Sequence, residues 1–97
     1  MNLEFSPLSL ADIRSILDFI SRDKPQAAIK FVAQIENRCQ LLATFPDIGT
    51  ARDEILPGLR LFTFRGYGIY YRKISELVRV ERVLHPALEI RGEMFES

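Results

Sequence analysis

The chain has 97 residues, of which 47% are hydrophobic and 27% are charged, and its formal net charge at pH 7 is zero. This length is typical of one domain with a modest hydrophobic core, so we expect a single domain over residues 1–97. The composition argues against a disordered chain, and the zero net charge argues against the strongly basic surface of a dedicated DNA-binding protein.

Three further features concern the cellular compartment. The N-terminal sequence MNLEFSPLS does not have the pattern of a signal peptide, and no apolar run reaches the roughly 18 residues that span a bilayer. The single cysteine, Cys39, cannot form an internal disulfide, and we interpret it as a packing residue. We therefore expect a cytoplasmic protein that does not bind membranes.

The first half of the chain predicts a strand and a helix. NLEF, at residues 2–5, is a short strand candidate. Ser6 followed by Pro7 favours a helix start with Ser6 as the N-cap, although Ser9 with Asp12 forms an alternative capping box one turn later. Apolar residues spaced by three and one indicate that this helix runs over about residues 7–22.

A second helix follows after a short break. Asp23 is its expected N-cap, with Pro25 in its first turn, and a second apolar stripe continues until Pro46 ends the helix. Because few residues separate the two helices, we expect them to form an antiparallel hairpin.

The second half predicts a loop and an antiparallel sheet. Residues 46–59 form the loop, whose length is at the upper end for a compact domain and is often associated with function. Three strands are expected over residues 59–64, 67–72 and 77–85, and the turn Arg65-Gly66 joins the first two. With both helices on one side of this meander, the fold class is α+β. A short helical turn is expected after Pro86.

Basic residues are concentrated in the predicted sheet. The net charge is −2 over residues 1–57, +4 over residues 58–85 and −2 over residues 86–97. Such a local field attracts an acidic partner. The stretch GLRLFTFRGYGIYYRK interleaves basic and aromatic side chains, a pattern that suits nucleic-acid binding but also suits a half-buried hairpin with a solvated face.

Motifs for a defined chemistry are scarce. The sequence predicts no phosphate-binding glycine loop, no metal site, no cofactor and no serine triad. His85, at the end of the last strand, suits either a general acid or base or a histidine bonded to a loop carbonyl. These observations leave two classes open, a binding module and a small RNase-like enzyme.

Three stretches together resemble the ParE branch of the RelE/ParE superfamily of type II toxins from bacterial toxin–antitoxin systems. FSPLSLADIRSILDFISRDKPQAAIKFVAQI resembles the family's opening strand and two helices, with Ser-Pro before the first helix. LLATFPDIGTARDEILPGLRLFTFRGYGIYYR is similar to its middle, where a helix ends in Phe-Pro before a glycine, an arginine and Gly-Leu-Arg. VRVERVLHPA resembles its last strand with a terminal histidine. The likeness covers nearly the whole chain.

The resemblance implies the element order β-α-α-β-β-β and a toxin held inactive by a small antitoxin encoded beside it. ParE toxins inhibit DNA gyrase, whereas RelE-type relatives cleave mRNA in the ribosomal A site. RelE-type chemistry needs cations for the phosphate and a general acid or base, for which the candidates are Arg60, Arg65, Arg82 and His85. The loop GTARDEILPG has one arginine and two acids, where ribosome-directed relatives carry lysines. We therefore favour a gyrase inhibitor without nuclease chemistry.

The favoured interpretation assigns two roles to residues of the second half. One set braces the loop against the sheet: Gly49, Arg52, Gly58, Leu59 and Arg60. The other set is expected to bind partners: Arg60, Arg65, Tyr67, Arg72, Arg79, Arg82 and His85.

The expected partners are a cognate antitoxin, joined with the toxin in a hetero-oligomer, and DNA gyrase. The antitoxin segment that binds should be apolar and acidic, and strand addition at a sheet edge is one way for it to bind. A third possibility is a toxin that has lost its target and keeps only the antitoxin interface.

Overall fold

A computed structural model describes residues 1–85 and 88–95 of the chain. The elements in chain order are β1 (Asn2–Phe5), α1 (Pro7–Ser21), α2 (Pro25–Thr44), β2 (Thr50–Ala51), β3 (Leu59–Phe64), β4 (Tyr67–Ile74), β5 (Leu77–Leu84) and a 3₁₀ helix (Gly92–Phe95). The predicted order of one strand, two helices and a three-stranded meander is confirmed. The short strand β2 lies within the segment that the sequence predicts as a loop.

The five strands form one sheet in the order β1-β5-β4-β3-β2. β3, β4 and β5 are antiparallel neighbours, as the hairpin signals predict. β1 pairs with β5 in parallel, so the complete sheet is mixed. A parallel neighbour needs a long connection, which the two helices and the intervening strands provide here.

The two helices pack on one face of the sheet. The Ser6 side chain caps α1 by accepting a hydrogen bond from the backbone N–H of Ser9 at 3.0 Å, so the first of the two capping alternatives is the one observed. The buried residues of this main core share a helical or alternating strand spacing, and they include Ile16, Phe31, Ile35, Leu42, Ile69, Tyr71, Val78, Val80 and Val83. Cys39 is fully buried in the same core, as expected for a packing residue.

A second, smaller cluster lies on the opposite face of the sheet. It contains Leu59, Tyr70, Leu84 and Phe95. The rings of Tyr70 and Phe95 meet edge to face, with centroids 5.4 Å apart. The C-terminal 3₁₀ helix therefore covers part of the face that the helices leave open.

Several predicted boundaries differ from the observed ones. The expectation that Asp23 caps α2 is wrong: the N-cap is Lys24, which makes no capping side-chain bond, because Pro25 occupies the first helical position. β4 extends two residues further than predicted, to Ile74, and β5 ends at Leu84. The turn expected immediately after Pro86 lies partly outside the described residues. No helix in residues 1–85 and 88–95 has the length and apolar character to cross a membrane.

Candidate functional site

Arg60 ties the loop before β3 to the sheet. Its guanidinium donates hydrogen bonds to the carbonyl oxygens of Asp47 at 3.2 Å and Gly49 at 2.6 Å. The Asp47 carboxylate lies 3.9 Å from the same group. Both hydrogen bonds come from Nη1, and they tie the loop to the sheet as the bracing role of Arg60 predicts.

Gly49 and Tyr71 form the second attachment of this loop. The Tyr71 hydroxyl donates to the carbonyl of Pro46 at 2.7 Å and accepts from the N–H of Gly49 at 2.9 Å. A Cβ atom at position 49 would lie 2.5 Å from that hydroxyl oxygen, so only glycine allows this approach. Burial raises the pKa of Tyr71, and the hydrogen bond from Gly49 opposes that shift. The hydroxyl therefore remains a neutral donor.

The rest of the loop is closed by main-chain contacts. The N–H of Arg52 donates to the carbonyl of Leu59 at 2.8 Å, which extends the pairing of β2 with β3. The N–H of Gly58, a residue with a φ of +80°, donates to the Asp53 carboxylate at 2.9 Å. The Arg52 side chain, in contrast, makes a loose and exposed contact with Glu54 at 3.9 Å. Arg52 thus braces the loop through its backbone.

Aromatic rings connect the β3–β4 turn to the end of β5. The Arg65 guanidinium lies over the Phe31 ring, 5.9 Å from its centroid, and donates to the Gln34 side chain at 3.2 Å. Tyr67 packs edge to face on Phe31 at 5.4 Å and on His85 at 5.6 Å. Arg65, Tyr67 and His85 are therefore linked through successive ring contacts on the helix side of the sheet.

Arg82 is held by contacts to two other parts of the chain. Its Nε and Nη2 donate to the two carboxylate oxygens of Asp12 at 2.7 and 2.8 Å, and its Nη1 donates to the carbonyl of Met94 at 2.6 Å. The same Asp12 carboxylate accepts from the N–H of Val83 at 2.9 Å. The hydrogen bond to Asp12 raises the pKa of Arg82. Asp12 and Arg82 thus join α1, β5 and the C-terminal segment.

Arg72 and Arg79 form an ionic cluster on the opposite sheet face. They lie directly across from each other in β4 and β5. The Glu81 carboxylate, only 3% exposed, lies 2.7 Å from Nε of Arg72 and 3.7 Å from Nε of Arg79. Glu4 lies 3.7 Å from the same Arg79 nitrogen, which makes no hydrogen bond of good geometry with the described residues. The two acids offset much of the positive charge that the sequence places on this face.

A groove opens between α1 and the end of β5, and we call it the α1–β5 groove. Its volume is about 420 Å³, and it is lined by Asp12, Ser15, Ile16 and Phe19 of α1, by Tyr67, and by residues 82–85 and 88. Phe19 and Leu88 are 67% and 49% exposed, although both are large and apolar. The groove therefore combines an apolar rim with the Asp12–Arg82 ion pair.

The structure brings only some of the predicted site residues together. Tyr67, Arg82 and His85 line the α1–β5 groove, and Arg65 is connected to it through Phe31. Arg60 binds the loop before β3, while Arg72 and Arg79 lie on the opposite face. Among residues 1–85 and 88–95, no group of three His, Cys, Asp or Glu side chains is arranged to hold a metal ion.

Comparisons with known proteins identify the family. The family model described as "ParE toxin of type II toxin-antitoxin system, parDE" matches residues 3–87. The chain belongs to the ParE toxin family. A solved structure entitled "Chromosomal ParDE TA system from P. aeruginosa" superposes on this toxin with a TM-score of 0.77. The match covers 88% of this chain and 95% of that one at 23% sequence identity, so it shows a shared fold. The comparison with curated proteins finds no match.

Sequence reasoning missed three residues of this toxin that organise its surfaces. Nothing in the sequence near Asp12 predicts its ion pair, because its partner Arg82 is 70 residues away. Glu81 lies where the β4–β5 register shifts: Tyr70 pairs with Arg82 and Tyr71 pairs with Val80, so Glu81 is the extra residue. The signal in the sequence was the break in alternation between Val80 and Val83, where two charged residues follow each other. Phe19 also carries a signal: it lies outside the apolar stripe of α1, yet it is aromatic.

Proposed function

We propose that this toxin inhibits DNA gyrase by binding to it, without nuclease chemistry, and that a cognate antitoxin blocks this binding. Membership of the ParE family supports the choice of target, since ParE toxins inhibit gyrase. The observation that argues against nuclease chemistry is that the Arg82 guanidinium is already hydrogen-bonded within the chain. Three of its N–H groups already donate to Asp12 and Met94 at 2.6–2.8 Å.

A phosphate-cleaving site needs cations that point at the place where negative charge develops. In this toxin a phosphate would have to compete with a carboxylate for Arg82 and with two carbonyl oxygens for Nη1 of Arg60. Arg60 and Arg82 are also engaged with different parts of the chain, the loop before β3 and helix α1. The arrangement favours a protein that acts through its surface.

A second candidate function is an RelE-like mRNA endonuclease. One observation favours it: Arg82, His85 and Tyr67 line the same groove, which would place a cation beside a group able to transfer protons. A further cation, Arg65, lies over Phe31, whose ring in turn contacts Tyr67 of the groove wall.

Purified toxin distinguishes the two functions. We expect it to inhibit supercoiling of relaxed plasmid DNA by gyrase and to leave translated mRNA intact. Induction of the toxin alone in cells should stop DNA synthesis before protein synthesis. Supercoiling that is unaffected by an excess of folded toxin would refute the proposal, and early cleavage of mRNA on ribosomes would replace it with the second candidate.

The variant His85→Ala adds a quantitative test. A nuclease that uses the imidazole as a general acid or base should lose activity by about 10²–10⁴-fold. A binding inhibitor loses no chemical step when the imidazole is removed, so its inhibition of growth and of gyrase should fall by less than about tenfold, or roughly 1.4 kcal/mol. Inhibition should also be reversed by the protein encoded in the adjacent reading frame, which is the expected antitoxin.

A further inference from the structure

The arginines around the sheet differ in their surroundings. Those in strands β3, β4 and β5 each have a carboxylate 2.7–3.9 Å away: Arg60, Arg72, Arg79 and Arg82. Arg38 of α2 and Arg65 of the β3–β4 turn are exposed, and neither forms an ion pair with residues 1–85 or 88–95. The charge of these two arginines is therefore available to a partner, whereas that of the strand arginines is largely neutralised.

Arg38 and Arg65 are held on neighbouring aromatic rings. The Arg38 guanidinium lies over Phe64, 4.8 Å from the ring centroid, and the Arg65 guanidinium lies over Phe31 at 5.9 Å. The centroids of the two rings are 5.9 Å apart. Arg65 donates one hydrogen bond, to the neutral side chain of Gln34, and Arg38 donates none among the described residues. Because a cation–π contact leaves the N–H groups unpaired, most of these donors remain free to bind a carboxylate.

One face of α2 continues the surface that these arginines begin. Residues spaced by four, four, three and four share this face: Lys30, Gln34, Arg38, Leu41 and Phe45. The face has no acid, because Glu36, the one acid of α2, lies on another face of the helix. Its last two side chains, Leu41 and Phe45, are apolar, yet they are 37% and 55% exposed. We call this face of α2, together with Arg65, the α2–hairpin surface.

The composition of the α2–hairpin surface indicates the class of its partner. Exposed apolar and aromatic side chains beside arginine are typical of surfaces that bind proteins, whereas a DNA duplex is bound through many phosphate contacts from lysine and arginine. The three cations without an acid, Lys30, Arg38 and Arg65, complement a segment that carries carboxylates. None of these residues lines the α1–β5 groove, so the two surfaces are distinct.

We propose that the α2–hairpin surface is where this toxin contacts DNA gyrase, and that it binds a segment of gyrase that carries carboxylates next to an apolar side chain. The carboxylates pair with Arg38 and Arg65, and the apolar side chain packs on Leu41 and Phe45. The proposal rests on the proposed function, because it takes gyrase as the partner.

The double variant Arg38→Gln/Arg65→Asn tests the charged part of the surface. Both side chains are exposed, and asparagine tolerates the φ of 50° at position 65, so the variant should fold. The control is Arg14→Gln/Arg22→Gln, which removes the same charge from exposed positions outside the surface. Surface plasmon resonance measures the Kd for purified gyrase, with and without a DNA duplex, and the supercoiling of relaxed plasmid measures inhibition.

We expect the double variant to raise the Kd for gyrase without DNA, and the half-inhibitory concentration, by at least about tenfold. The control should change both by less than about threefold. Equal values for the double variant and the wild type would overturn the proposal, and so would equal losses in the control.

Two further outcomes would assign the surface to another partner. A loss that occurs only when DNA is present would mean that the arginines bind phosphates, and the acidic segment would be wrong. Full gyrase inhibition by the double variant, with weaker binding of the protein encoded in the adjacent reading frame, would assign the surface to the antitoxin. If the wild-type toxin leaves gyrase unaffected, the proposed function itself fails, which is a different result.

Phe45 and Phe19 are a matched pair for the apolar part of the surface. Both are exposed, and Phe19 lies in the α1–β5 groove instead. Phe45→Ala should raise the half-inhibitory concentration for gyrase by at least about tenfold, as is usual for an aromatic anchor, and Phe19→Ala by less than about threefold. Equal effects of the two substitutions, or no effect of Phe45→Ala, would contradict the apolar contact.

Discussion

Replacing Tyr71 with phenylalanine removes one hydroxyl group from a fully buried side chain and should loosen the loop before β3. That hydroxyl makes two hydrogen bonds, to the carbonyl of Pro46 and from the N–H of Gly49. The ring remains in the main core, so the change leaves apolar packing almost intact. The loss of stability therefore reports on the two hydrogen bonds.

The size of the stability loss depends on which polar groups are left without a hydrogen-bond partner. A hydrogen bond contributes about 0.5–1.5 kcal/mol net, and a buried donor left without a partner costs about 1–3 kcal/mol. The bond from Gly49 is buried, whereas the bond to Pro46 is partly buried and water can replace it. We expect the free energy of unfolding to fall by about 2 kcal/mol, which for a domain of this size lowers Tm by roughly 8–16 °C.

Urea denaturation followed by circular dichroism measures this change, with Tyr70→Phe as the control. Tyr70 is the preceding residue of β4 and is also buried, but its hydroxyl makes no hydrogen bond with residues 1–85 or 88–95. The control should lose less than about 0.5 kcal/mol, and the slope m should be unchanged in both variants. If Tyr71→Phe is as stable as its control, the hydroxyl does not hold the loop.

Three further predictions concern an ion pair, a turn and the buried cysteine. Asp12→Asn removes the charge that binds Arg82 and should cost about 2–3 kcal/mol in urea denaturation. The control Glu54→Gln removes a charge from the exposed Arg52–Glu54 pair and should lower the free energy of unfolding by less than about 0.5 kcal/mol. Equal losses in Asp12→Asn and Glu54→Gln would contradict the structural role of the Asp12–Arg82 pair. In Gly66→Ala the new Cβ would have no atom within 4 Å, but alanine would have to adopt a φ of +85°. The free energy of unfolding should therefore fall by about 1–2 kcal/mol. Thermal denaturation measures this loss, and an unchanged Tm would contradict it. Burial, reinforced by Glu36, raises the pKa of Cys39 to about 12, so iodoacetamide at mildly alkaline pH should label only the unfolded chain, and rapid labelling of the folded protein would be the contrary result.

Local signals in the sequence were sufficient for the helices and the meander. Ser6-Pro7 placed the start of α1 correctly, because a cap and a proline act within one turn of the chain. Arg65-Gly66 placed the β3–β4 turn correctly, because both residues adopt positive φ there. The order of these elements, together with short motifs such as Phe-Pro and Gly-Leu-Arg, was enough to suggest the family.

Contacts between distant residues required the tertiary structure. The sequence alone determined that this chain is an α+β domain with basic residues concentrated in its sheet, because periodicity and turn chemistry are local properties. Only the folded chain decided that Asp12 neutralises Arg82, that Glu81 lies between Arg72 and Arg79, and that Arg60 points into the loop. Each of these ion pairs and hydrogen bonds depends on strand register and on how α1 packs beside β5, and a change of one residue in register would turn the same side chains to the other face.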